Sequence, residues 1–312
     1  MFNVLIRHYV PAMDLLPLSQ LLTEIESIDC DGEDTSQEYL RSALSWHNYR
    51  PDQDVWVAEV DGKLVGYAVA LEQPSRHCTV YGVVHPSCRR NGLGSQLLAL
   101  TLERAREVDS QDILVYANEH NVASNLFLKQ QQFQQVGSSG VMKAPSALEI
   151  PPYEFPQGFA LKRYSEVNEP RILLEALNVC YLDMWGHQHQ DKRSEEELRS
   201  PRFLKYYDAD DILLLFDEQD SVLGICSVKS EARKAEDGNF TDLLDAPGIL
   251  KEYRERGFQH PLVLAAIQHL RRKGTRPITL EFWGDSENAL NIYRGLGFEM
   301  AHHYLAYHKE LN

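Results

Sequence analysis

An internal repeat in fixed register limits the fold of this chain more than any other feature. Arg89, Gly92 and Phe133 recur as Arg254, Gly257 and Phe298, each 165 residues further on. Zero net insertion across such a span is what tandem duplication of one folding unit leaves behind. The surrounding stretches recur in the same order. VLIRHYVP from residue 4 resembles FALKRYSE from 159, and a helical stretch follows each. VWVAEVDGKLVGYAVALE (55–72) matches ILLLFDEQDSVLGICSVKSE (212–231) as strand, polar turn and strand. CTVYGVVHP, rich in β-branched and aromatic residues, stands against FTDLLDAPGIL. A glycine loop and helix follow, then DILVYANEHN or PITLEFWGDS as a strand running into a loop, then a short helix ending at Phe133 or Phe298. Between the copies lies APSALEIPPYEFP, whose four prolines read as an extended linker over 144–156. The pattern predicts two α/β (α+β, mixed-sheet) domains, 1–143 and 157–312, each a central mixed β-sheet flanked by helices.

Composition sets the outer bounds. The chain has 312 residues, 43% hydrophobic and 25% charged, ample for two cores. A net charge of −15 argues against a general binder of nucleic acid or anionic membranes and is compatible with an amine partner. MFNVLIRHYV lacks the apolar h-region of a signal peptide, and no run of about 18 apolar residues predicts a membrane span. The five cysteines are scattered without CxxC, so a reducing cytoplasm is expected. Oligomeric state is open between monomer and homodimer. His187 and His189, like His302 and His303, have no companion Cys or carboxylate cluster, and no metal is expected.

RRNGLGSQLL, residues 89–98, sets two arginines and two glycines before a helix whose Leu97, Leu98, Leu102 and Ala105 share one face. Ser95 or Asn91 is a candidate cap. A strand, a glycine loop and a helix start present unpaired backbone N–H groups and the positive end of the helix dipole, an arrangement that binds phosphate. A dinucleotide fingerprint is excluded because its third glycine position is Leu97, and a P-loop because Gly-Lys-Ser/Thr is absent. Taken alone, the loop reads as a left-handed turn with no ligand.

VVHPSCRRNGLGSQLL resembles the acetyl-CoA loop of the GNAT N-acetyltransferases, Gln/Arg-x-x-Gly-x-Gly/Ala after a Val-rich strand and a proline. The tandem layout is similar to double-domain acetyltransferases of the mycothiol synthase type. The resemblance implies an acyltransferase that uses acetyl-CoA as co-substrate on a small-molecule amine. It further implies that the backbone of Val83 and Val84 pairs with the pantetheine arm. The loop Arg89, Arg90, Asn91, Gly92, Leu93, Gly94 and Ser95 would cradle the pyrophosphate, and Asn121 would lie near the thioester. The alternative is an acetyl-CoA-binding sensor or scaffold with one or both domains catalytically degenerate.

The copies diverge in opposite directions. The first keeps the loop, Asn121 and Ser124, but has Leu128 at the family's tyrosine position and Gln132 before Phe133. The second keeps Ala289, Tyr293, Gly297 and Phe298, yet carries Gln259 for the second glycine, then His260 and Pro261, with Ser286 for the asparagine. In the chemistry the resemblance implies, a neutral amine attacks the thioester, a backbone N–H near Val84 polarises the carbonyl and an acid protonates the thiolate. Tyr293 is the candidate acid. Glu72, Tyr81 and His85 in the first copy, and Glu231, Asp242 and Asp245 in the second, are the candidate bases. Tyr181, Trp185 and His187 are candidates for an acceptor pocket. Cys88 has no neighbouring base to make it a nucleophile.

Overall fold

The structure is a computed structural model that describes residues 4–44, 50–72, 76–182, 184, 193–199, 208–234, 239–284 and 286–311. Trp185, His187 and His189 lie outside the described residues. The first half runs β1 (Val4–His8), α1 (Pro11–Asp29), α2 (Gln37–Ala43), α3 (Pro51–Asp54), β2 (Val55–Val60), β3 (Lys63–Glu72), β4 (His77–Val84), α4 (Leu93–Glu107), β5 (Asp112–Asn118), α5 (Val122–Gln130) and β6 (Gln134–Ala144). The second runs β7 (Ala160–Arg163), α6 (Tyr164–Val167), α7 (Pro170–Val179), α8 (Glu195–Leu198), β8 (Ile212–Phe216), β9 (Val222–Lys234), β10 (Phe240–Asp245) and β11 (Gly248–Ile249). It closes with α9 (Lys251–Arg254), α10 (Gln259–Lys273), β12 (Ile278–Trp283), α11 (Glu287–Gly295) and β13 (Glu299–Glu310). The mixed α/β architecture expected from the repeat is the one observed.

The chain divides into two compact units. One comprises residues up to Val136 together with those from Tyr304 onward, and the other is Gly137–His303. In the first unit β1 to β4 are consecutive antiparallel neighbours, β4 and β5 are parallel, and residues 304–310 of β13 pair antiparallel with β5. Alternation along β2 explains the two layers. Val55 and Val57 face Leu18, Leu22 and Leu40 of the first two helices. Trp56 and Ala58 face Leu97 and Ala105 of α4. Gly66 lets α4 approach closely, because a Cβ there would lie 3.1 Å from Leu97.

The second unit repeats this plan. β7 to β10 are antiparallel, β10 and β12 are parallel, and residues 139–144 of β6 pair antiparallel with β12. Leu262, Ala266, Ile267 and Leu270 of α10 are fully buried against that sheet. The counterpart of β4 is split: β10 ends at Asp245, and β11 resumes at Gly248 on β9 alone. Pro247, which has no N–H to donate, lies in the break. Gln132 holds the left-handed conformation (φ 65°) that Gly297 takes in the second copy (φ 93°), a strain that glycine avoids.

At the start of the β4–β5 pairing, Asp112 accepts hydrogen bonds from two imidazoles. His77 Nδ1 is on one oxygen, and His308 Nε2 is 2.9 Å from the other. Burial alone raises the Asp112 pKa, but the bonds from His77 and then His308 outweigh it and hold the carboxyl below its usual range. A depressed folded-state pKa contributes stability above the unfolded value, about 3.9, and that contribution is lost as pH falls through the folded value. Asp112→Ala is expected to cost about 1–3 kcal/mol at neutral pH. In urea titrations the gap between wild type and variant should shrink below about pH 4. A gap that stays constant down to pH 3 would rule out this role for the carboxylate.

Candidate active site

β4 pairs with β3 from Glu72–Cys78 to Gly66–Val84. Its parallel pairing with β5 covers only His77–Asp112 to Val80–Val115. Beyond that point the two strands part. The edge of Tyr81–Val84 therefore faces a wedge whose other side is Tyr116–Asn118. Alternation turns the main chain of Val83 onto β3 and that of Val84 to the wedge, where Arg89 already takes the Val84 carbonyl, so the edge can hold an added strand-like arm through the Val84 N–H.

The glycine loop sits at the open end of the wedge. Pro86–Cys88 forms a 3₁₀ turn, Arg90 and Gly92 are left-handed (φ 64° and 82°), and α4 begins at Leu93. Gly92 is the N-cap and provides no side-chain cap, and the first intrahelical bond from the loop side runs from Gln96 N to Gly92 O at 3.1 Å. The amides of Leu93, Gly94 and Ser95 are thus helix-start donors of the kind that bind anions. Neither Asn91 nor Ser95 caps the helix: the Asn91 amide bonds back to Arg89 O at 3.1 Å, because the left-handed Gly92 carries the chain into the helix instead. A Cβ at Gly94 would sit 3.7 Å from Phe127 and 3.9 Å from Val84, so the glycine leaves a slot between these side chains. Arg90 is exposed at the loop tip.

Arg89 braces the loop. Its Nε donates to Val84 O at 2.8 Å, and its guanidinium forms a two-pronged pair with Asp29 at the end of α1. Asn121 is the N-cap of α5, accepting from Ser124 N at 3.1 Å and donating to Asp31 at 3.0 Å. Ser286 caps α11 in the same way, through Ala289 N. The Asn-x-x-small pattern therefore has a local capping cause in both copies.

The loop after α1 carries acidic residues that the motifs did not single out. Asp29 holds Arg89, while Asp31 meets Asn121 through its carboxylate and Asn118 and Tyr304 through its carbonyl oxygen. The loop thereby reaches both flanks of the wedge. Glu33 follows, reached by solvent yet crowded by protein. Burial, and then Glu26, Asp31 and Asp34, push its pKa up to about 7. Burial also raises the Tyr81 pKa well above its usual value, with Glu33 the first charge to add to it. Tyr81 is thus a neutral phenol, unsuited to be the base. Of the other base candidates, Glu72 is exposed beside Arg50, His85 bonds Ser87, and Glu231 and Asp242 meet Arg276. Cys88 is buried as a free thiol.

In the second unit Arg254 repeats the brace: Nε donates to Ile249 O at 2.8 Å, and Nη2 reaches Cys180 O at 3.3 Å. Tyr293 is 0% exposed and accepts a hydrogen bond from Gln259 Nε2 at 2.7 Å. The Tyr181 ring lies against Gly248, where a Cβ would be only 2.6 Å away. His303 packs near the Phe282 ring, and among the described residues no group of three potential ligands could hold a metal ion.

An open parallel-strand wedge beside an uncapped glycine loop is the cradle expected for acetyl-CoA. Residues 19–133 match the acetyltransferase (GNAT) family. The N-terminal half carries a GNAT acetyltransferase domain. Acetyl-CoA-dependent N-acetyl transfer is the activity this supports. The chain is 27% identical over 299 residues to a mycothiol acetyltransferase of Renibacterium salmoninarum, covering 90% of this chain and 85% of the relative. A mycothiol acetyltransferase of Rhodococcus jostii is 28% identical over 254 residues, covering 78% and 79%. Among solved structures, a GCN5-related N-acetyltransferase from Sphaerobacter thermophilus shares the fold with a TM-score of 0.77 at 21% identity, over 99% of this chain and 96% of that one. A tandem GNAT protein from the clavulanic acid biosynthesis pathway matches with a TM-score of 0.65 at 17% identity, over 99% of both chains. No helix among the described residues is long and apolar enough to cross a membrane.

The slot at Gly94 gives a direct test. Gly94→Ala should fold normally, since its Cβ makes only ordinary contacts. Gly94→Trp should fill the slot and weaken CoA binding at least about 100-fold, a loss of about 2.7 kcal/mol. Calorimetric titration with circular dichroism as the folding control measures both. Unchanged affinity in a folded Gly94→Trp protein would place the cofactor elsewhere.

Proposed function

We propose that the N-terminal unit is the working acetyltransferase and that it acetylates a small cationic amine with Glu33 as the base. The observation that carries this reading is the parting of β4 and β5 beside the uncapped start of α4. In this reading the amides of Arg90, Asn91, Gly92, Leu93, Gly94 and Ser95 hold the pyrophosphate, Arg89, whose own amide bonds Pro86 O, braces the loop, and the edge at Val83 and Val84 takes the pantetheine arm. Asn121 positions the thioester end indirectly, by holding Asp31. Acetyl-CoA, when bound, supplies the activated acyl carbonyl.

The chain's own groups do the rest. Asp31 and Glu33, with Glu26 and Asp34 behind them, favour an ammonium group at the wedge mouth. Glu33, with its pKa raised toward neutrality, takes the proton and leaves a nucleophilic amine. A backbone N–H near Val84 stabilises the oxygen as charge develops. Leu128 is buried where an acid would stand, so the departing thiolate takes its proton without a side-chain donor on α5. That is tolerable for so good a leaving group. The hydroxyl of Tyr293 is engaged by Gln259, which weighs against an acid role for it. The mycothiol acetyltransferase relatives support a small acceptor. A cytoplasmic site of action fits the free cysteines.

Released CoA thiol, followed with a panel of small amines, tests the activity. With an accepted amine, kcat/KM should climb as pH rises through about 7, because the base works only when deprotonated. Glu33→Gln should lower kcat/KM about 100-fold and remove that limb, while leaving CoA affinity unchanged. Retention of the limb at full rate would exclude Glu33 as the base.

A further inference from the structure

We propose that the C-terminal unit holds a second, latent CoA cleft that the side chain of Gln259 closes from within. The inference rests on the N-terminal cleft being a CoA site, because the two are compared position by position.

The frame of the cleft survives. Arg254 Nε on Ile249 O reproduces Arg89 Nε on Val84 O, both at 2.8 Å and both five residues apart. Gly257 holds φ 81° where Gly92 holds 82°, and a Cβ at either would meet nothing closer than 4.0 Å. Both glycines are therefore kept for backbone conformation, not for space. The strands part as in the first unit: β10 pairs with β12 as far as Asp245–Glu281, Ala246 N bonds Glu281 O, and β11 then follows β9. Phe258, the N-cap of α10, supplies no side-chain cap. Pro261 removes one helix-start donor.

The slot itself is what differs. Gly94 opens a gap lined by Phe127 and Val84, and the counterparts of these three residues are Gln259, Ile292 and Ile249, each 165 residues on. Gln259 extends its amide to Tyr293 OH at 2.7 Å, and Tyr293 occupies the position of Leu128. The amide thus lies where the first copy leaves room, and the buried phenol is satisfied by it. Separately, the Tyr181 ring on Gly248 covers the face of β11, so the cleft predicts CoA binding without acceptor access.

The experiment counts CoA equivalents by calorimetry in five full-length proteins. Wild type should bind one. Gly94→Trp should bind none. Gln259→Gly should bind two, and the double variant Gly94→Trp/Gln259→Gly should bind one, at the C-terminal unit alone. Gln259→Leu, which keeps the bulk and loses the bond, should still bind one. Hydrogen exchange supplies a second readout: CoA should protect residues 83–95 in wild type, and residues 248–260 as well in Gln259→Gly. If Gln259→Gly unfolds, Gln259→Ala with the same exchange measurement replaces it. A folded Gln259→Gly or Gln259→Ala protein with one equivalent and no protection at 248–260 overturns the latent cleft. Absence of binding in wild type overturns the N-terminal reading instead, and the double variant keeps the two failures apart.

Discussion

Two parallel strands that separate after four residue pairs leave backbone donors and acceptors along both inner edges. Protein groups meet some of them, as Arg89 does at Val84 O and Asn125 at Asn118 O, and the space between the strands stays wedge-shaped. Here the opening is fixed from both ends. At the closed end Asp112 sits between His77 and His308, and at the open end Arg89 ties the tip of β4 to the end of α1. The position of α4, the amides at its start and the reach of the acidic loop all follow from where that wedge begins.

The same scaffold is present twice, and the copies show how little separates an open cleft from a closed one. Backbone devices, the arginine brace and the left-handed glycine, are retained in both. What differs is Gln259 in place of Gly94, together with Pro261 at the helix start and the Tyr181 ring on Gly248. The glutamine gives a buried phenol a partner, and α10 keeps its apolar face in the core.

The repeat was legible because its carriers act locally. Glycines at positive φ, an arginine that bonds a carbonyl five residues back and alternating strands imprint themselves on adjacent sequence. The acidic side of the site was not legible, since Asp29 reaches Arg89 across 60 residues and nothing near Glu33 in the chain announces Tyr81. DCDGED, which begins at the last residue of the first helix, was the signal available. Asn121 and Ser286 lie where the resemblance put a functional asparagine, yet their shared local duty is capping. Tyr293 illustrates the same gap, for a residue type in the right place does not reveal what its hydroxyl touches.

One feature of the first unit bears on how the chain acquires its shape. The strand beside β5 is residues 304–310, whereas the rest of that sheet is complete by residue 118. At ribosomal rates of about 5–20 residues per second, the N-terminal sheet waits on the order of 10 s or more for its last strand. Through that interval β5 is an uncovered sheet edge, the kind of surface that pairs with other chains. The second copy is thus more than a companion to the first: its final strand ends a period of exposure that begins early in translation.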